Sequence, residues 1–282
     1  MYQGLCKKKN LVVVCAGDNS LHMKFPYPND NFDLMVIYYG HDEHKKELYS
    51  KRCDFFIHSQ GFKFELARNV LLKQLQMREK FQFSDYSYIW FPDDDLEFVN
   101  GNDIFKMFEI AEKIQADVFQ PSLTNEDIDK FWIATKHVEK TFVRRTNIVE
   151  IMALGFKGQI FTDCFFPCLQ VFDYMKAGWG IESVLPKFIE SLLQKSPRTF
   201  VLDCVRINHA KPIDASSKLH ERGRFECHYT LQHVCNRMRT LKAYNSLQEV
   251  LDDDFAGLEN SEYSESYYDY ISIKYKQANI SV

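Results

Sequence analysis

Three consecutive carboxylates, Asp93, Asp94 and Asp95, follow directly on the apolar run Tyr88-Ile89-Trp90-Phe91-Pro92. Like charges this close repel, so the cluster needs solvent or a counter-charge. A hard divalent cation such as Mg2+ or Mn2+, which prefers carboxylate and phosphate oxygens, supplies one. In an extended segment alternate residues face the same way, so Asp93 and Asp95 are expected to share a side while Asp94 points elsewhere. A buried strand ending in acids has a natural use, because ligands of open α/β sheets bind in the crevice beyond the carboxyl ends of the strands. The chain carries its own control. Asp252-Asp253-Asp254 repeats the tripeptide after a polar, helix-like stretch with no buried strand before it, and reads as solvated surface.

Positioning such a cluster takes a framework, and the hydrophobic pattern supplies one. Residues 11–15, 34–39 and 88–91 read as short buried strands, rich in β-branched and aromatic residues and ending in turn signals. Leu66, Val70, Leu71 and Leu75 give a helical period between the second and third. Asn102 is placed to cap a helix carrying Ile104, Phe105, Phe108, Ala111 and Ile114 on one face. Residues 117–121 and 160–167 are expected as further strands, 183–194 as an amphipathic helix with Pro186 in its first turn, and 201–207 as a last strand. Alternating strands and helices predict a single α/β domain over residues 1–250, its central, mainly parallel sheet flanked by helices. Residues 251–282 open with seven acidic residues and no Lys or Arg up to Tyr270, and read as an acidic, Tyr-rich C-terminal extension.

Composition narrows the classes. The 282 residues are 45% hydrophobic, enough for a substantial core, and no apolar run approaches the roughly 20 residues that span a bilayer. The apolar stretch after Lys7-Lys8-Lys9 is too short for a signal-peptide core. A net charge of -4 argues against sequence-independent nucleic-acid binding, which is normally basic. The eight cysteines are scattered without a CxxC pair, which points to free thiols in a reducing compartment, to a cytoplasmic location and away from zinc.

Four blocks carry a family resemblance: Asn10-Leu-Val-Val-Val-Cys-Ala-Gly-Asp-Asn-Ser20, Trp90-Phe-Pro-Asp-Asp-Asp95, Gly178-Trp-Gly-Ile-Glu182 and Asn208-His-Ala-Lys-Pro212. Asp93 to Asp95 after a buried strand resemble the DxD motif of glycosyltransferases with the GT-A fold. The four blocks in order, spanning about two hundred residues, resemble the DUF707 family of glycosyltransferases, with a weaker likeness to viral enzymes of large algal DNA viruses.

The resemblance implies a metal-dependent, inverting transfer of a sugar from a UDP-sugar donor to a glycan hydroxyl. Xylose is the first sugar to consider, and the host cytoplasm the location if the chain is viral. Asp95 would bind Mn2+ or Mg2+, Asp93 or Asp94 would support the metal or hold the ribose, and His209 would complete the metal shell. Glu182 would take the acceptor's proton as general base. Family members usually carry Asp there, so Glu departs from the pattern. Trp179 and Gly180 would face the acceptor, the flanking glycines letting backbone approach the ligand. Ala16, Gly17, Asp18, Lys63, Arg68 and Asp94 are the donor-side candidates, with one of Arg144 and Arg145 able to reach a diphosphate or an acceptor carboxylate. Glu182 and Trp179 could equally be an ordinary helix N-terminus and a core residue. A metal-dependent phosphohydrolase or nuclease, and an inactive sugar-binding relative of the same fold, are the competing functions.

Overall fold

A computed structural model describes residues 8–71, 82–124, 134–147, 149–210, 218–231 and 240–253. Strand β1 (Asn10–Ala16) is buried along its whole length and is followed by β2 (Phe32–Tyr38). Helix α1 (Glu43–Ser50) begins where the Asp42 carboxylate accepts from the amides of His44 and Lys45, a side-chain cap. Next come β3 (Phe55–His58) and α2 (Lys63–Leu66), which continues through a π-helical turn, Ala67–Leu71. The chain then forms β4 (Tyr88–Pro92), β5 (Leu96–Phe98), α3 (Asp103–Lys113), β6 (Val118–Leu123), β7 (Val143–Thr146) and β8 (Ala153–Lys157). Helices α4 (Phe166–Val171) and α5 (Ile181–Leu193) precede the long β9 (Thr199–His209), and α6 (Lys218–Leu231), β10 (Thr240–Tyr244) and α7 (Leu247–Leu251) complete the series.

The strands form one sheet in the order β10-β7-β9-β6-β8-β4-β1-β2-β3, with β5 added to β9. The β3-β2-β1-β4 half is parallel throughout, and β6 lies parallel to β9. Only β5, β7 and β8 run against the rest, which makes this the mainly parallel α/β sheet the sequence predicts. Because β8 is antiparallel to both β4 and β6, those two point the same way. The carboxyl ends of β1, β2, β4, β6 and β9 therefore meet on one rim, and β8 brings its first residue there, Ala153 opposite Pro92.

Alternate residues of β1 enter two separate cores. Leu11 and Val13 pack with Val184 and Phe188 of α5, while Val12 and Val14 join Ile104 and Phe108 of α3 on the opposite face. Burial on both faces is why such strands read as unbroken apolar runs.

Four expectations are corrected. Residues 160–167 are helical, comprising Gly158–Ile160, a π-helical turn Phe161–Phe165 and the start of α4. Phe161, Cys164, Phe165 and Cys168 are all fully buried while the adjacent pair Thr162 and Asp163 faces outward, too little to mark a helical period, and Pro167 sits in the first turn of α4, where its missing N–H costs little. Pro186 lies inside α5, which starts two residues earlier than expected, and it has no N–H to give the carbonyl of Glu182. Asn102 stands at the N-cap of α3 but makes no side-chain cap bond. Of the second acidic tripeptide, Asp252 is exposed, whereas Asp253 turns inward to accept from Lys242 Nζ and the Tyr244 hydroxyl, and Asp254 lies outside the described residues, as do Leu75 and most of the C-terminal extension. Among the described residues Cys15, Cys53, Cys164, Cys168 and Cys204 are free thiols.

Candidate active site

Strand β4 delivers its three carboxylates to the rim, and each takes a different partner. The Asp93 amide donates to the carbonyl of Met152 at 2.6 Å. Its Oδ1 accepts from Lys63 Nζ at 2.7 Å, and the same ammonium donates to the Ile151 carbonyl at 2.9 Å while lying 4.6 Å from the centre of the Phe91 ring. Burial nevertheless holds the Asp93 carboxyl above its ordinary pKa, against the pull of Lys63. Asp94 turns the other way. Its Oδ2 accepts the Gly17 N–H at 2.7 Å and the Tyr39 hydroxyl at 3.3 Å, and its carbonyl takes the Leu21 N–H, which fastens the acidic turn to the loop after β1.

Asp95 faces β9. Its Oδ2 lies 3.0 Å from His209 Nε2, and its Oδ1 is buried with no hydrogen-bond partner among the described residues. Burial works against a charge on His209, but the bond to Asp95 and the fields of Asp95, Asp93 and Glu150 outweigh it and raise the imidazole pKa. The fold thus gathers Gly17, Lys63, Asp93, Asp94, Asp95 and His209 from four separate stretches of chain.

On the β1 side, the Ala16 carbonyl accepts the Tyr39 amide at 3.0 Å. Asp18 accepts from the Tyr38 hydroxyl and from the amides of His41 and Asp42, which holds its carboxyl below the usual range. Arg68 donates to the carbonyl of Asp173 on the segment leading to Gly178. Arg144 is held inside the fold, with its guanidinium on the Asp203 carboxylate at 2.7 and 3.0 Å and on the carbonyls of Ala134 and Lys136. Arg145, the neighbour, is also buried, its charge opposed by burial and favoured by Tyr244.

The segment of residues 178–182 is built around two left-handed glycines, Gly178 at φ 93° and Gly180 at φ 99°. Any Cβ on Gly178 would stand 2.1 Å from the Phe64 ring, so the space beside this glycine is taken by protein rather than left open to a ligand. Trp179 is half-buried, with its indole against Gly223 of α6. Glu182, in the first turn of α5, is buried and accepts the Gly180 N–H at 3.0 Å. Burial pushes its pKa up to about 7, against the pull of the nearby amides. It lines a small cavity with Val118, Val149, Leu185 and Thr199.

A further buried carboxyl, Glu150, was missed by sequence reading. Glu150 lies just before β8, its amide on Gln120 Oε1 at 2.6 Å and its carboxylate accepting the Met152 N–H at 2.7 Å. It feels the charges of Asp93 and Glu182, and burial with Asp93 alongside pushes its pKa up to about 8. No local motif marks it, because it reaches the rim only through the reversed direction of β8.

No protein-family model matches the chain, and no curated protein matches it, so the DUF707 resemblance rests on the four blocks alone. Solved structures do. S. aureus TarS 1-349 is similar at 15% identity over 70% of this chain and 60% of that one, with a TM-score of 0.46. The same fragment in complex with UDP-GlcNAc gives 15% identity over 79% and 66%, with a TM-score of 0.43. The mannosyltransferase PcManGT from Pyrobaculum calidifontis, in complex with GDP-Man and Mn2+, gives 10% identity over 75% and 59%, with a TM-score of 0.43. The chain spans less than two thirds of the TarS fragment. Among the described residues, no helix is long and apolar enough to cross a membrane.

Proposed function

We propose that this chain is a divalent-cation-dependent glycosyltransferase that takes a sugar from a nucleotide-diphosphate donor, UDP-linked in the first instance, and passes it to a glycan hydroxyl. The observation that carries the reading is Asp95 at the carboxyl rim of the parallel strands, one oxygen against His209 and the other buried without a hydrogen-bond partner among the described residues.

Asp95 and His209, with Asp93 beside them, suit a hard cation of the Mn2+ or Mg2+ kind. Among the described residues no three His, Cys, Asp or Glu side chains close on one point. A cation held by one or two carboxylates and completed by phosphate oxygens and water needs no such cage. Bound there, the metal would offset the negative charge that develops on a departing diphosphate.

The protein's own groups supply the rest. The turn at Gly17 and Asp18, next to Ala16 and fastened to Asp94, would border the donor side with Lys63, while Arg68 would act from the segment whose Asp173 carbonyl it holds. Trp179 and Gly180 border the acceptor side. In the reaction the acceptor hydroxyl attacks the anomeric carbon, the bond from that carbon to the diphosphate oxygen breaks, and the hydroxyl proton passes to Glu182, whose elevated pKa suits a base working near neutrality. A single displacement inverts the anomeric centre. Xylose is the first donor sugar to test.

Incubation with UDP-sugars and Mn2+ tests the reading. UDP release that depends on both metal and acceptor supports it. Metal-dependent release of phosphate from nucleotides or nucleic acid instead would favour a phosphohydrolase, and tight UDP-sugar binding without turnover an inactive sugar-binding protein.

A further inference from the structure

Resting on that reading, we infer that Glu226 of α6 is the positioning residue for the acceptor-side segment. Its side chain is fully buried, and its two oxygens accept three successive backbone amides: Lys176 at 2.8 Å and Ala177 at 3.2 Å on Oε1, Gly178 at 2.8 Å on Oε2. Amides that point together at one place form a concavity that binds an anion, and here the anion is the protein's own carboxylate. Arg222, one turn earlier, donates to Glu226 Oε1 at 2.6 Å and to the carbonyl of Tyr174, which bounds the segment at its start. Between the two lies Gly223, against which Trp179 packs.

The opposite side of the segment is held as firmly. The Lys176 carbonyl accepts the amides of Phe64 and Glu65 at the start of α2, at 3.0 and 3.1 Å, and Phe64 fills the space beside Gly178. Residues 174–178 are thus clamped between α2 and α6, and Trp179, Gly180 and Glu182 hang from the clamp. The carboxylate is suited to this task in a way that an amide is not. Glutamine offers one acceptor oxygen and one NH2 group, and the latter would face N–H donors.

The test uses the full chain and Glu226→Gln, with Glu221→Gln on the same helix as the control. Glu226→Gln is expected to raise deuterium uptake across residues 174–180 and to lower turnover by about 10²-fold, the cost of slight misplacement of reacting groups. Mn2+-dependent UDP affinity should stay within about twofold, because Glu226 is bonded to the amides of residues 176–178 and not to the acidic turn. Glu221→Gln should change none of these. If Glu226→Gln does not fold, Arg222→Met, which removes the second strut, is expected to move the same readouts in the same direction. Unchanged uptake at 174–180, or raised uptake with normal turnover, overturns the inference. Should the wild-type chain transfer no sugar, the glycosyltransferase reading falls, and deuterium uptake alone then decides whether Glu226 holds the segment.

Discussion

Asp95 meets the end of β9 at two successive residues: its carboxylate stands 3.0 Å from the His209 imidazole, and its carbonyl accepts the N–H of Ala210, the residue after that histidine. The pairing of β5 with the end of β9 sets both contacts, with Leu96 in register with His209. The turn between β4 and β5 is therefore tied to the last residue of β9 by backbone and side chain alike.

Asp95→Asn keeps the shape of the side chain but removes its charge. It should weaken Mn2+-dependent UDP binding by at least about tenfold while leaving metal-free UDP binding unchanged, because an inner-shell anionic oxygen is lost. His209→Ala should act in the same direction and less strongly. Calorimetry with and without Mn2+ checks both, and equal affinity in variant and wild type would remove Asp95 from the metal site.

Glu182→Gln should lower turnover by about 10² to 10⁴ with little change in donor affinity, since the amide cannot take a proton. Wild-type turnover should rise with pH through about 7 as this carboxyl ionises, and the variant should lose that limb. A merely structural Glu182 gives the reverse pattern, a lower melting temperature with near-normal turnover. A product of retained anomeric configuration would remove Glu182 from the role of base whatever the variant's rate.

The pH dependence of stability follows from Glu150 and Glu182, whose folded pKa values of about 8 and about 7 lie above the ordinary carboxyl value of 4.5. Between that value and about 8 the folded chain holds more protons than the unfolded chain, so stability falls as pH rises across the window. Glu150→Gln should flatten the decline. Melting temperatures from pH 5 to 9 for both proteins decide the matter, and parallel curves would show that Glu150 is ionised without penalty.

Lys63→Met removes the ammonium from Asp93, from the Ile151 carbonyl and from the Phe91 ring while keeping an unbranched apolar side chain of similar length. A loss of about 1–3 kcal/mol is expected, the cost of leaving charged and carbonyl partners unsatisfied. Chemical denaturation measures it, and a neutral result would mean that solvent replaces the ammonium without cost.

Arg144→Met is the contrasting case. Asp203 is wholly buried and would lose its counter-charge, so a loss of about 3–5 kcal/mol is expected. UDP affinity in the folded fraction should be unchanged. Selective loss of UDP binding at normal stability would return Arg144 to the donor side.

The legible parts of this fold were those written in local pattern. β1, β2 and β4 announced themselves as β-branched and aromatic runs, and the acids at the end of β4 were readable because a buried strand preceded them. Residues 160–167 were misread because their polar residues, Thr162 and Asp163, are adjacent, and one such pair in an otherwise apolar, aromatic run sets no helical period. Glu150 and Glu226 escaped for another reason. Each acts through partners distant in the chain, Asp93 and the amides of residues 176–178, and no spacing encodes such a meeting. Arg144 was legible as a buried-site candidate only in type, since Asp203 claims it from the adjacent strand.

The first turn of α2 carries a consequence for how the molecule can vary. Lys63 grips Asp93, while the amides of Phe64 and Glu65 hold the Lys176 carbonyl and the Phe64 ring fills the space at Gly178. A change of volume at Phe64 is therefore transmitted in two directions at once, to the acidic turn and to the acceptor-side segment. Donor and acceptor constants should be inseparable in any Phe64 series. Natural or laboratory tuning of one without the other has to be sought on α6, whose Glu226 and Gly223 meet the acceptor-side segment.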